Sequence, residues 1–179
     1  MFEGWDDYYL LVGSAAAALI GLLFVVVTLT TGIASSAAER GARFFMTPIV
    51  FQLAIVLVLS GLAMVPGLSP SVVALLLAAV ALVAAIYKGW IAWSFARGAV
   101  LQVPHWSDKW CYGFLPFGFS LALGAVAAGF WLGSEAAVFG LAALVVASLL
   151  LAIRNAWDLV TWIAPRAGST DGQSELRDA

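Results

Sequence analysis

The chain has 179 residues, of which 64% are hydrophobic and 10% charged, and its mean hydropathy is +1.04. A soluble domain is nearer half apolar and about a quarter charged, so this composition predicts a lipid environment. The formal net charge of −2 identifies no partner, and the single cysteine, Cys111, excludes an internal disulfide. The single histidine, His105, excludes a bis-histidine haem and a histidine-cluster metal site within the chain, and we expect no cofactor.

Five apolar runs follow one another along the chain, at residues 9–33, 44–65, 71–96, 113–132 and 136–164. Each contains roughly 20 or more largely apolar residues, enough to cross a hydrocarbon layer of about 30 Å. The runs are continuous rather than alternating, which favours helices over strands. Acidic residues before the first run are atypical of a secretory signal, so we interpret that run as a retained helix. We therefore predict an all-α bundle of five transmembrane helices at residues 1–164, with 165–179 as a disordered cytoplasmic tail.

The connections between the runs alternate in length and charge. The second and fourth are very short, and Ser69 followed by Pro70 predicts a helix N-cap with proline in the first turn. The first connection, the third connection and the tail are longer, and all eight Lys and Arg residues fall in them or in the helix halves beside them. Because positively charged loops remain in the cytoplasm, five spans place the N-terminus outside and the C-terminus in the cytoplasm.

Two pairs of segments resemble each other within the chain. "PIVFQLA" at 48–54 matches "PFGFSLA" at 116–122, which aligns Gln52 with Ser120, and "AIYKGW" matches "AIRNAW" in the helices that follow. One interpretation is a duplicated hairpin after a leading helix, with a pseudo-twofold axis along the membrane normal. The alternative is chance, because Ala, Leu and Phe are abundant in apolar helices.

Polar side chains collect near the cytoplasmic end of the predicted bundle. Lys88 lies roughly 26 Å and Arg154 roughly 27 Å along their helices, and Arg154 can pair with Asp158 four residues on. In one interpretation these cations extend to the interface and bind anionic lipid headgroups. In the other they turn inward and line a vestibule for a small ion or anionic solute. The candidate residues of this layer are Lys88, Arg154, Asn155, Asp158, Thr28, Gln52 and Ser120.

Small residues recur along two of the predicted helices. Apolar burial does not drive association inside lipid, whereas small residues let helix backbones approach closely. The candidate packing residues are Gly13, Ala17 and Gly21 in the first helix and Ala125, Gly129 and Gly133 in the fourth. They predict packing within the chain or, alternatively, contact with a second copy or another membrane protein.

The third connection contains the strongest candidate for catalysis, "HWSDKWC". His105 and Asp108 have the chemistry of a base and its orienting acid, and Cys111 that of a nucleophile. Two tryptophans in seven residues favour instead an amphipathic segment on the inner leaflet. The chain has no phosphate-binding loop or zinc-site spacing, and its few scattered basic residues indicate no nucleic-acid partner. We expect that the protein is not an enzyme.

The segments "GSAAAALIGLLFVVVTL" and "IRNAWDLVTWIA" resemble the first and last helices of small multi-pass proteins of bacterial inner membranes. The resemblance covers these two helices, implies a bacterial inner-membrane location, and carries no activity. Three functional hypotheses follow from the sequence. The first is a self-associating conduit or binding vestibule for a small ion or anionic solute. The second is an accessory or scaffold subunit of a membrane complex, and the third is a lipid-modifying enzyme that uses His105.

The predicted topology is testable by cysteine labelling. Single cysteines introduced near the two termini should react with a membrane-impermeant maleimide from opposite sides of the membrane, because an odd number of spans separates them. Labelling of both termini from the same side would contradict an odd number of crossings.

Overall fold

Five long helices follow one another in a computed structural model that describes residues 2, 4–30, 36–97 and 109–168. No strand occurs in these ranges. All five helices are long and apolar enough to span a membrane, so the protein is an all-helical, multi-pass membrane protein. The elements are α1 (Asp6–Thr30), α2 (Ser36–Ala63), α3 (Pro70–Ala96), a π-helical turn (Lys109–Phe114), α4 (Leu115–Trp131) and α5 (Ala136–Gly168).

The five predicted spans are confirmed, but two helices continue beyond the apolar runs. Helix α2 begins at Ser36 rather than at residue 44, and α5 continues to Gly168 rather than ending at residue 164. The added part of α2 contains three Ala, two Arg and one Glu, which are good helix formers whatever their polarity. Hydropathy therefore identifies the span but not the helix end. Most of the predicted tail, residues 169–179, lies outside the described residues.

Both short turns use a glycine in the left-handed region. Gly67 has φ +75° and Gly133 has φ +71°, a conformation that side chains with a Cβ rarely adopt. The predicted N-cap of α3 is confirmed, because the Ser69 hydroxyl accepts a hydrogen bond from the Val72 amide at 3.4 Å. Gly133, a candidate packing residue, lies in a turn, and a Cβ added there would meet nothing within 4 Å. We call the side of the bundle that carries both turns the short-turn end.

The spatial order of the helices differs from their order in the chain. Helix α1 packs on α2, α2 on α5, α5 on α4, and α4 on α3, while α2 and α3 touch only sparsely despite their short connection. An apolar groove of about 320 Å³ separates α2 from α3, with Phe51, Ile55 and Val83 among its walls. The Phe51 and Tyr87 rings are in contact, with their centroids 4.5 Å apart. This contact joins α2 to α3 at the end of the groove that lies away from the turn between them.

Small residues mediate the closest helix contacts. A Cβ added at Gly13 would lie 3.1 Å from the Ser60 Cβ, and one added at Gly129 would lie 3.1 Å from the Ala137 Cβ. These two glycines bring α1 against α2 and α4 against α5. The structure leaves other candidate packing residues open: Ala17, Gly21 and Ala125 are exposed, and a Cβ at Gly21 would meet nothing within 4 Å.

The outer surface of the bundle is apolar. Large side chains that are at least 60% exposed include Leu11, Phe24, Leu75, Ile86 and Leu150. The tryptophans Trp90, Trp93, Trp131 and Trp157 are also exposed and lie towards helix ends, the depth at which amphipathic indoles meet lipid headgroups. This surface suits hydrocarbon rather than water.

Candidate functional site

A buried lysine and a buried glutamine face each other across α2 and α3. Lys88 is 5% exposed and Gln52 is 4% exposed. The Lys88 ammonium donates a hydrogen bond to the Gln52 side-chain carbonyl. Lys88 lies six residues before Ser94, the last residue of its span, which places it about 9 Å inside that boundary at helical rise. We call these two residues the Lys88–Gln52 pair.

The Lys88–Gln52 pair has more hydrogen-bond donors than acceptors. The Gln52 side-chain amide nitrogen is buried and has no hydrogen-bond partner among the described residues. Within the same ranges the only ion pair joins Arg154 to Asp158, so no described carboxylate neutralises Lys88. A buried ammonium without a counterion and a buried amide with free N–H groups are both costly in a low-dielectric interior. The chemistry of the pair therefore suits an acceptor-rich, negatively charged group.

A second polar cluster joins α5 to the π-helical turn. The Asn155 side-chain amide donates to the Cys111 carbonyl at 2.9 Å, and the Tyr112 hydroxyl donates to the Asn155 carbonyl at 2.8 Å. Arg154 donates to the Asn155 side-chain oxygen at 3.1 Å, and its other terminal nitrogen lies 3.1 Å from the Asp158 carboxylate. We call these five residues the Asn155 cluster.

The Asn155 cluster differs from the Lys88–Gln52 pair in charge and exposure. The side chains of Arg154 and Asp158 are 39% and 41% exposed, and their charges oppose each other. Asn155 is 5% exposed and uses its side-chain donor and acceptor within the cluster. The hydrogen bonds of the Asn155 cluster therefore hold the π-helical turn, which precedes α4, against α5.

The predicted polar layer is divided in the structure. The hydrogen bond of Lys88 goes to Gln52, whereas Asp158 pairs with Arg154, the partner predicted by their spacing of four residues. Thr28 is exposed and donates to the Val25 carbonyl at 2.8 Å within its own helix. Ser120 is buried and donates to the Pro116 carbonyl at 3.1 Å, also within its own helix. Five of the seven candidates thus belong to two separate clusters, and the other two donate hydrogen bonds within their own helices.

Sequence reasoning missed the partners that come from the π-helical turn. Tyr112 and the Cys111 carbonyl belong to no recognisable motif, and their contact with Asn155 joins residues more than forty positions apart. The available signal was Asn155 itself, a polar residue that a lipid-embedded helix retains only with a partner. His105 and Asp108, the proposed base and orienting acid, lie outside the described residues.

Comparison with other proteins adds no assignment. No protein-family model matches the chain, and neither a curated protein nor a solved structure matches it. Among the described residues, no group of three or more His, Cys, Asp or Glu side chains is placed to hold a metal ion. The interpretation of the two polar clusters therefore depends on their geometry.

Replacement of Asn155 should loosen the π-helical turn. Asn155→Leu keeps the number and branching of the side-chain heavy atoms but leaves the part-buried Cys111 carbonyl without its donor, at a cost of about 1–3 kcal/mol. Cys111 is the only cysteine and is half-buried, so its thiol reports the opening of this turn. Maleimide labelling of Cys111 in detergent should accelerate about tenfold, which corresponds to roughly 1.4 kcal/mol.

Thr161→Val is the matched control for Asn155→Leu. Thr161 lies on the same helix, is exposed, and donates only to the carbonyls of Trp157 and Asp158. Maleimide should label Cys111 in Thr161→Val at the same rate as in the wild type. Equal rates in all three proteins would show that Asn155 does not hold the turn.

Proposed function

We propose that this multi-pass membrane protein binds a small anion, or the anionic group of a solute, at the Lys88–Gln52 pair and forms a vestibule or conduit for it. The observation that carries the proposal is a buried ammonium with no described counterion beside a buried amide with unused donors. A bound anion would supply both the missing charge and the missing acceptors.

The alternative role of Lys88 as a lipid anchor has less support. A snorkelling lysine extends its ammonium to the headgroup layer and leaves it in water. Lys88 is instead 5% exposed, and its ammonium bonds to a different helix within the span. Arg154, partly exposed and beside Asp158, is the better candidate for contact with anionic headgroups.

We further propose an orientation with the short-turn end outside and the cationic loops in the cytoplasm of a bacterial cell. The support is the distribution of Lys and Arg: all eight occur away from the two short turns. In this orientation the Lys88–Gln52 pair lies nearer the cytoplasmic side of the inner membrane and would be reached from that side.

A duplicated hairpin is also part of the proposal. The matched positions Lys88 and Asn155 are both buried, and so are Gln52 and Ser120. A twofold axis would relate α2 to α4 and α3 to α5, so the contact between α2 and α5 would correspond to the contact between α4 and α3. Both of these helix pairs are in contact. The correspondence is partial, because α4 packs on α5 more extensively than α2 packs on α3.

Flux and binding measurements on Lys88→Met test the proposed anion site. Removing a buried charge that contacts a ligand typically costs about 2–5 kcal/mol, so anion binding should weaken more than tenfold. Purified protein in liposomes should pass chloride, nitrate or phosphate faster than empty liposomes. The bound anion should raise the unfolding temperature of the wild type but not of Lys88→Met.

Arg97→Gln is the matched control, since it removes a cation from the end of the same helix. Arg97 is exposed and lies over the Trp93 ring, 4.3 Å from its centroid, away from the Lys88–Gln52 pair. This variant should retain both the anion flux into liposomes and the rise in unfolding temperature on anion binding. Absence of flux and of anion-dependent stabilisation in the wild type, across pH and voltage, would exclude the proposed site.

Assembly with a second copy or with another membrane protein is the second candidate function. The observation that favours it is the open stretch of α1: Ala17 and Gly21 are exposed at a spacing of four, and Gly21 has free space where a Cβ would stand. Small residues at this spacing allow another helix to approach closely. Ala125 offers a similar exposed position on α4.

Gly21→Leu should disrupt such an assembly by filling the open stretch. Native mass spectrometry after gentle solubilisation should show a self-oligomer or a stoichiometric partner for the wild type and mainly monomer for Gly21→Leu. Gly61→Leu is the control, because Gly61 is equally open but lies between the large residues Leu57 and Val65. A monomeric wild type under these conditions would contradict the assembly role.

A further inference from the structure

A cleft of about 390 Å³ opens at the short-turn end, opposite the Lys88–Gln52 pair. It lies where α1, α3 and α5 begin and α4 ends. Trp5, Phe130 and Phe139 supply aromatic walls, and Glu135 supplies a carboxylate. The volume falls in the range of about 300–1,000 Å³ typical of small-molecule sites. We call this feature the aromatic cleft.

Ring contacts and a hydrogen bond hold the walls of the aromatic cleft in place. The Trp5 and Phe139 rings are 5.4 Å apart and nearly perpendicular, and the Trp5 and Tyr8 rings are 5.5 Å apart. The Tyr8 hydroxyl donates to the Ala142 carbonyl of α5 at 2.7 Å, which ties α1 to α5 below the cleft. Phe139 is 65% exposed, so much of its ring surface remains accessible to a ligand.

The charge around the aromatic cleft is negative. Glu135 is exposed, and no described Lys or Arg pairs with it. No Lys or Arg occurs in residues 1–39, 44–87 or 110–153 of the sequence, which include every residue that lines the cleft. Helices α1, α3 and α5 each begin here with a partial positive charge of about one half. The negative end of α4, Glu135, and Asp6 and Asp7 in the first turn of α1 outweigh these partial charges.

We infer that the aromatic cleft binds a small organic cation, a quaternary ammonium or alkylammonium group. Aromatic ring faces attract such cations electrostatically, and their apolar walls accommodate the methyl groups that a carboxylate alone would not. A simple metal ion fits less well, because Glu135 is the only carboxylate among the lining residues in the described part of the chain. The cation could belong to a free solute or to a choline or ethanolamine lipid headgroup.

Titration with tetramethylammonium chloride tests this inference. Purified protein in a neutral detergent is titrated by calorimetry, and sodium chloride at the same concentrations is the reference, which separates cation binding from any chloride bound near Lys88. Wild type should bind tetramethylammonium saturably and sodium not. Glu135→Gln and Phe139→Leu should each weaken the affinity about tenfold through loss of the charge or of a ring face.

Two control variants test the location of the cation site. They also separate cation binding in the cleft from the proposed anion binding at Lys88. Asp7→Asn removes an exposed acid of α1 that does not line the aromatic cleft and should change the affinity less than about twofold. Lys88→Met should leave tetramethylammonium binding unchanged whether or not it abolishes anion binding. An absence of saturable binding, or an equal loss in Asp7→Asn and Glu135→Gln, would overturn the inference.

Lipid nanodiscs distinguish the two sources of the cation. Weaker tetramethylammonium binding in phosphatidylcholine than in phosphatidylglycerol discs, at a salt concentration that screens the anionic lipid surface, would indicate that a lipid headgroup occupies the cleft. Equal binding in both would indicate a free solute. Unfolding temperatures of all variants should match the wild type, so that lost binding is not lost folding.

Discussion

The hydrogen bond from Lys88 to Gln52 joins two helices that otherwise barely touch. In lipid, burial of apolar surface provides no driving force for α2 and α3 to associate. Hydrogen bonds and close packing therefore determine how these helices are arranged. The bond lies beside the Phe51–Tyr87 ring contact, and the two together define one end of the apolar groove between the helices. Lys88 has no counterion among the described residues, so the same contact that joins the helices leaves the Gln52 side-chain amide nitrogen without a described acceptor.

The two polar clusters show how differently a membrane protein accommodates charge. The Asn155 cluster pairs Arg154 with Asp158 near the end of a helix, where partial exposure to water lowers the cost of both charges. Lys88 is buried and has only an amide oxygen as its described partner, an arrangement that is costly unless a ligand completes it. Costly polar groups inside a span mark functional sites more often than structural ones. This contrast is the reason that we propose Lys88, rather than Arg154, as the anion-binding residue.

Several features were accessible from the sequence because they depend on local chemistry. The five spans follow from run length against bilayer thickness, and the α3 cap follows from Ser69 before Pro70. Gly13 and Gly129 do pack closely, but Gly21 on the same spacing is open, since spacing alone does not say which face meets a neighbour. The polar layer was predicted by depth along each helix. The depth of a residue in the membrane gives its level but not its distance from residues on other helices at that level. It therefore did not predict that Lys88 and Asp158 belong to different clusters.

The sequence by itself determined the solvent, the number of spans and the identity of the polar residues inside them. Each of these depends on the composition of one segment, and a segment keeps its composition whatever surrounds it. Only the tertiary structure decided that Lys88 meets Gln52, that Asn155 holds the π-helical turn, and that Trp5, Phe139 and Glu135 share a cleft. Those contacts depend on the rotation and lateral order of helices, and in lipid these are set by interhelical packing that no single segment encodes.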